Sequence, residues 1–131
     1  MRVQMHAYAD FQKKDLVMID HLDHLVLTCT DAEATTAFYT RVMQMQLETF
    51  GAGRIAFRFG NQKINLHVRG SEFEPKAHLP VPGALDLCFI ASVPLDQVIA
   101  HLRRMQLADY RRACRTNGRD AEASLGLCAG P

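Results

Sequence analysis

Tryptophan is absent, and aromatic residues fill only 8% of the 131 positions, so a core must be assembled mainly from aliphatic side chains. Neither charge is in excess: 15 Lys and Arg against 14 Asp and Glu leave a formal net charge of +1. That removes the electrostatic footprint expected of a chain that binds nucleic acid or a membrane surface. No apolar run approaches the roughly 18 residues of a membrane-spanning helix. The opening MRVQMHAYADFQKKD lacks the apolar centre and small-residue cleavage site of a secretory signal. The four cysteines, at 29, 88, 114 and 128, form no C-x-x-C pair, which argues against a thiolate zinc site and a disulfide framework. The expectation is a reduced, cytoplasmic protein with neither nucleic-acid nor membrane partners.

What is present is enough chain for one domain with a real core. Residues 1–18 show no clean period and read as a loose extension. HLDHLVLTC (21–29) alternates as a strand, with Leu25, Leu27 and Cys29 on one face and His24, Val26 and Thr28 on the other. TDAEATTAFYTRVMQ (30–44) predicts an amphipathic helix over about 31–43, opened by a Thr30–Glu33 capping box. Three short strands follow, MQLETF (45–50), RIAFRF (54–59) and KINLHV (63–68), separated by the breakers GAG and GN. Three of the five prolines fall in a connector, 69–83. A second strand, ALDLCFIA (84–91), and a second helix, VPLDQVIAHLRRM (93–105), then repeat the opening strand–helix order. The remainder, DYRRACRTNGRDAEASLGLCAGP, shows no alternation and poor strand propensity.

The chemistry-bearing stretch is QKINLHV (62–68), where Asn65 and His67 share one strand face and Ile64, Leu66 and Val68 share the other. The residues alone leave two readings: a half-exposed strand meeting solvent, or a ligand site on a cupped sheet. His24 is open in the same way between a hydrogen-bonded core histidine and a ligand. Arg54 and Arg58 share a face of the third strand, where they either grip an anion or meet solvent. His21, His78 and His101 read as loop or exposed-helix residues.

The run LDHLVLTCTDAEATTAFYTRVMQMQLETFGAGRIAFRFGNQKINLH resembles the first module of the vicinal oxygen chelate superfamily, which holds glyoxalase I, bleomycin resistance proteins and extradiol dioxygenases. GNQKINLH, EFEPKAHLPVPG and LDLCFI are closest to the glyoxalase-domain-containing protein 5 subfamily. The resemblance covers about residues 20–105. It implies an α+β fold of paired β-α-β-β-β modules, glyoxalase-like cupped sheets enclosing one pocket with a divalent metal, in a chain that commonly forms a homodimer. Residues 19–68 would be the first module, 69–83 the connector, 84–107 the start of a second module incomplete after its helix, and 108–131 an atypical tail.

By the same resemblance the metal ligands fall on His24, His67 and Asp86, with Asn65, Arg54 and Arg58 lining the pocket. Asn65 stands where a glyoxalase has glutamate, and His67 keeps the same face and can substitute for it. The last family ligand, a glutamate on the final strand, has no counterpart. Two imidazoles and a carboxylate suit Zn, Ni, Mn or Fe. The implied function is a metal-dependent lyase or isomerase acting on a small oxygenated substrate. An Fe(II) ring-cleavage-type dioxygenase and a metal-free, drug-binding protein of bleomycin-resistance type are the alternatives. The tail is also what a one-base shift of reading frame near Asp109 and Tyr110 would leave, since codons allowed there can spell a run like the family's IIEGPVERTGAT.

Overall fold

The computed structural model describes residues 18–106 and, as backbone, 124–128. The expectations for residues 1–17, and for a shifted reading frame after Asp109, lie outside the described residues. Strand β1 (His24–Cys29) leads into helix α1 (Ala32–Ala37), which widens into a π-helical turn over Phe38–Val42. Strands β2 (Gln46–Phe50), β3 (Arg54–Phe59) and β4 (Gln62–Val68) complete the first module. The second unit holds β5 (Asp86–Ile90), α2 (Leu95–Arg104) and β6 (Ser124–Cys128). No helix among the described residues is long and apolar enough to cross a membrane.

Strand order in the first sheet is β1-β4-β3-β2. Strand β1 runs parallel to β4, so α1, β2 and β3 form the crossover that a parallel pair requires. Phe59 pairs with Gln62, leaving Gly60–Asn61 as a two-residue hairpin. Gly60 takes the left-handed conformation there at φ 54°, where a side chain would be strained.

The helix begins one residue later than the capping-box reading. Asp31 is the cap, its Oδ1 accepting from the Ala34 N–H at 2.9 Å, while Thr30 is exposed. A carboxylate there also faces the positive end of the helix dipole. The π-helical turn is closed by the Met43 N–H donating to the Phe38 carbonyl at 3.1 Å. It turns Tyr39 onto the apolar face of the sheet, where its ring stacks on Phe57 at 4.9 Å and 13°. Leu27, Cys29, Phe57, Ile64 and Leu66 supply the buried floor beneath it. Burying Tyr39 pushes its hydroxyl pKa above the usual range, because the phenolate would lose its hydration.

The second unit packs on the same core. Phe89 of β5 meets Phe59 edge to face at 5.5 Å, and Leu85 and Leu87 lie beside it. His101, read from sequence as exposed, is half-buried and donates from Nε2 to the Val42 carbonyl at 2.9 Å, tying α2 to the π-helical turn.

The expectation that no strand follows the second helix is corrected at Ser124–Cys128. There the backbone pairs antiparallel with β5, Gly126 opposite Cys88. Local propensity in that stretch is weak, but an open edge on β5 supplies the hydrogen bonds that propensity does not.

Candidate functional site

Register decides which side chains meet on the face of the first sheet opposite the helix. On β1 and β4, His24 lies across from Lys63, Val26 from Asn65 and Thr28 from His67. On β3, Ala56 lies across from Asn65; one step beyond the Ile55–Leu66 pair, Arg54 falls across from His67. A cavity of about 270 Å³ lies over this face, lined among others by His24, Arg54, Asn65, His67 and Glu74. Its volume is near the lower end of small-molecule sites, which run from about 300 Å³ upward.

The Arg54 end of the cavity is the most built. The connector after β4 brings Phe73 against both residues: its ring is 5.8 Å from the His67 imidazole and 5.0 Å from the Arg54 guanidinium carbon. Glu72 pins that connector by accepting from the Gly70 N–H at 2.9 Å, and this bond holds its carboxyl below the usual range. His67 is only 6% exposed, and burial pushes its imidazole below the ordinary histidine value. Two polar atoms here, Asn65 Oδ1 and His67 Nδ1, are out of water with no hydrogen-bond partner among the described residues. At the other end, the carboxylate of Asp23 accepts from His24 Nδ1 at 2.6 Å. In the neutral ring that bond places the proton on Nδ1 and leaves Nε2 as an acceptor.

The candidate set divides. His24, Asn65, His67 and Arg54 are brought to one cavity. Arg58 is not: its guanidinium binds Glu48 at 2.6 and 2.7 Å beside Lys63. This hydrogen bond is also the main reason the Glu48 carboxyl lies below its usual range. Asp86 stands on the exposed side of β5 in the separate two-stranded sheet and does not line the cavity. Phe73, Glu74 and Lys63 also stand at this face, beyond the residues that the sequence pattern points to. The aromatic and acidic EFEP at 72–75, in the connector after β4, is the available signal for the first two.

The donor set does not fit a resident metal ion. His24 and His67 are four register positions apart on neighbouring strands, about 13 Å along the sheet at 3.3 Å per residue. Ligands of one ion with bonds near 2.1 Å must bring their donor atoms within about 4 Å of each other. With Asp86 elsewhere, no three His, Cys, Asp or Glu side chains among the described residues could hold an ion. Asn65, a neutral amide, adds no charge to offset a cation.

Residues 21–111 match the family model of the Glyoxalase/Bleomycin resistance protein/Dioxygenase superfamily, and the chain belongs to that family. It is 49% identical over 86 residues to virulence protein STM3117 of Salmonella typhimurium, covering 66% of this chain and 60% of that one. It is 52% identical over 82 residues to the glyoxalase domain-containing protein RDO1 of Mycosarcoma maydis, covering 63% and 46%. The chain thus spans about half the length of the curated relatives it matches.

Among solved structures, the integron cassette protein VCH_CASS1 from the mobile metagenome of V. cholerae superposes with a TM-score of 0.74 at 43% identity, covering 86% of each chain. The crystal structure of STM3117 gives 0.73 at 40% identity, covering 82% and 84%. Lactoylglutathione lyase from Agrobacterium tumefaciens shares the fold at a TM-score of 0.51 and 18% identity, covering 68% and 72%.

Proposed function

We propose that this chain is a glyoxalase-type protein that binds a small oxygenated molecule on the polar face of its first sheet. The observation that supports the reading is a cavity of about 270 Å³ over the polar face, lined among others by His24, Arg54, Asn65 and His67. Lyase or isomerase chemistry would begin by moving a proton next to a carbonyl. His67, whose pKa burial lowers, and His24, hydrogen-bonded to Asp23, are the groups that the described residues offer for it.

A metal-free binder is the second reading, favoured by Asn65 in the glutamate position and by the distance between His24 and His67. A two-histidine-one-carboxylate dioxygenase site has no such support, because Asp86 is on the other sheet. A homodimer is part of the proposal, as is a cytoplasmic setting, in keeping with the free thiols of Cys29 and Cys88.

The test is titration of the isotope-labelled protein with hydroxyacetone and methylglyoxal, followed by NMR, before and after adding Ni²⁺, Zn²⁺ or Fe²⁺. The expected result is saturable shifts of the Asn65 side-chain amide and the His67 ring without metal. Stoichiometric metal in protein purified without chelators would overturn the metal-free reading. Absence of any shift at Asn65 and His67 with either compound would overturn small-molecule binding here.

A further inference from the structure

The connector from Arg69 to Leu85 exceeds the roughly 12–15 residues beyond which a loop without secondary structure is uncommon in a compact domain. Residues 71–82 hold neither helix nor strand. They run between two glycines in the left-handed region, Gly70 at φ 82° and Gly83 at φ 76°. Glycine moves between left- and right-handed backbone without the clash that a side chain imposes, so both ends of the stretch are free to swing.

What holds the stretch down is narrow. Among the described residues, no hydrogen bond or ion pair joins residues 73–83 to a strand of the first sheet. Glu72 takes the Gly70 N–H and pairs with Lys76, and Ala84 donates to the Val81 carbonyl, so these bonds stay within the connector. Phe73 makes the contact with the sheet, its ring edge-on to His67 and under the Arg54 guanidinium. Even so, 37% of Phe73 is exposed. Glu74 and Pro75, next in the chain, line the cavity.

We propose that residues 71–82 form a strap over the cavity, hinged at Gly70 and Gly83 and latched by Phe73, which lifts to admit a ligand and lowers over it. Its use as a gate rests on the binding role proposed above; its motion does not. Lowered, the strap gains the two ring contacts of Phe73 but leaves His67 Nδ1 out of water and without a hydrogen-bond partner among the described residues. Lifted, it gives up those contacts and lets water back to the imidazole. Segments with so few buried contacts open while the rest of a fold stays intact.

NMR relaxation dispersion on the unaltered full chain, without ligand, reads the motion. The backbone amides of residues 71–79 and the His67 ring are expected to share one exchange rate on the microsecond-to-millisecond scale. Leu27 and Ile64, in the core, are expected to show none. A strap without exchange, or with rates unrelated to that of the His67 ring, would overturn the proposal. This measurement needs no variant, so a substitution that fails to fold does not remove the test.

Trypsin cleavage after Lys76 reads the latch, since a protease takes a segment only when it lifts free. Phe73→Ala should speed that cut at least fivefold and leave Lys63, inside β4, uncut, while Phe73→Tyr should behave as the unaltered chain. Equal cleavage of Phe73→Ala and the unaltered chain would overturn the latch. Saturating hydroxyacetone should slow the cut; hydroxyacetone that binds and leaves the cut as fast would overturn the gate. Should hydroxyacetone leave Asn65 and His67 unshifted while the shared exchange rate is found, the binding role falls and the moving strap stands.

Discussion

His67 accepts a proton less readily in the folded chain than in the unfolded one, because burial removes the water that would solvate the imidazolium. Below the unfolded value of about 6.5, the unfolded state therefore holds more protons, and stability falls as pH falls. The loss begins near the unfolded value and levels off once pH passes below the depressed folded value. Urea midpoints measured at pH 7.5 and at pH 5.5 should show the decline, and His67→Gln should flatten it; an unchanged slope in that variant would assign the pH effect elsewhere. The pairing of positions 65 and 67 on one face is legible in QKINLHV, since alternation fixes it. That His67 is nearly closed off, touching Phe73, is not legible, because a connector residue six positions away in sequence closes over it.

At the scale of elements, the first module is held by one aromatic stack. Phe57 is fully buried under Tyr39, and Phe57→Ala should cost about 3–5 kcal/mol in urea unfolding. The helix end offers the opposite change. Gln44 sits just past the π-helical turn at φ 57°, the left-handed region that favours glycine. Gln44→Gly should stabilise the chain by about 0.5–1 kcal/mol, read as a higher urea midpoint.

The strands were easily read because RIAFRF and QKINLHV alternate cleanly and glycines punctuate them. The helix was read as one regular element over about 31–43, yet it changes to a wider turn at Phe38. Residue periodicity does not reveal that change, since it comes from seating Tyr39 on the sheet.

For the whole molecule, the first sheet ends on β1 and β2, and neither has a second strand neighbour among the described residues. Unpaired edges favour association with another chain. Size-exclusion chromatography with light scattering should give a dimer, and a monomer at micromolar concentration would overturn that expectation. Among the described residues, the His101 bond to the Val42 carbonyl links the two units beside the Phe59–Phe89 contact. His101→Ala should cost about 1 kcal/mol of stability and leave ligand shifts at Asn65 in place, which separates a structural histidine from those of the cavity.

The sequence by itself determined the strand–helix–three-strand order, the apolar and polar faces of each strand, and the family, because these depend on alternation, turn residues and short motifs. The tertiary structure decided which polar residues meet. Register put His24 four positions from His67, Glu48 drew Arg58 away, and the separate pairing of β5 left Asp86 on another sheet. Convergence on a site depends on distances across strands and between sheets, and those are set by long-range pairing.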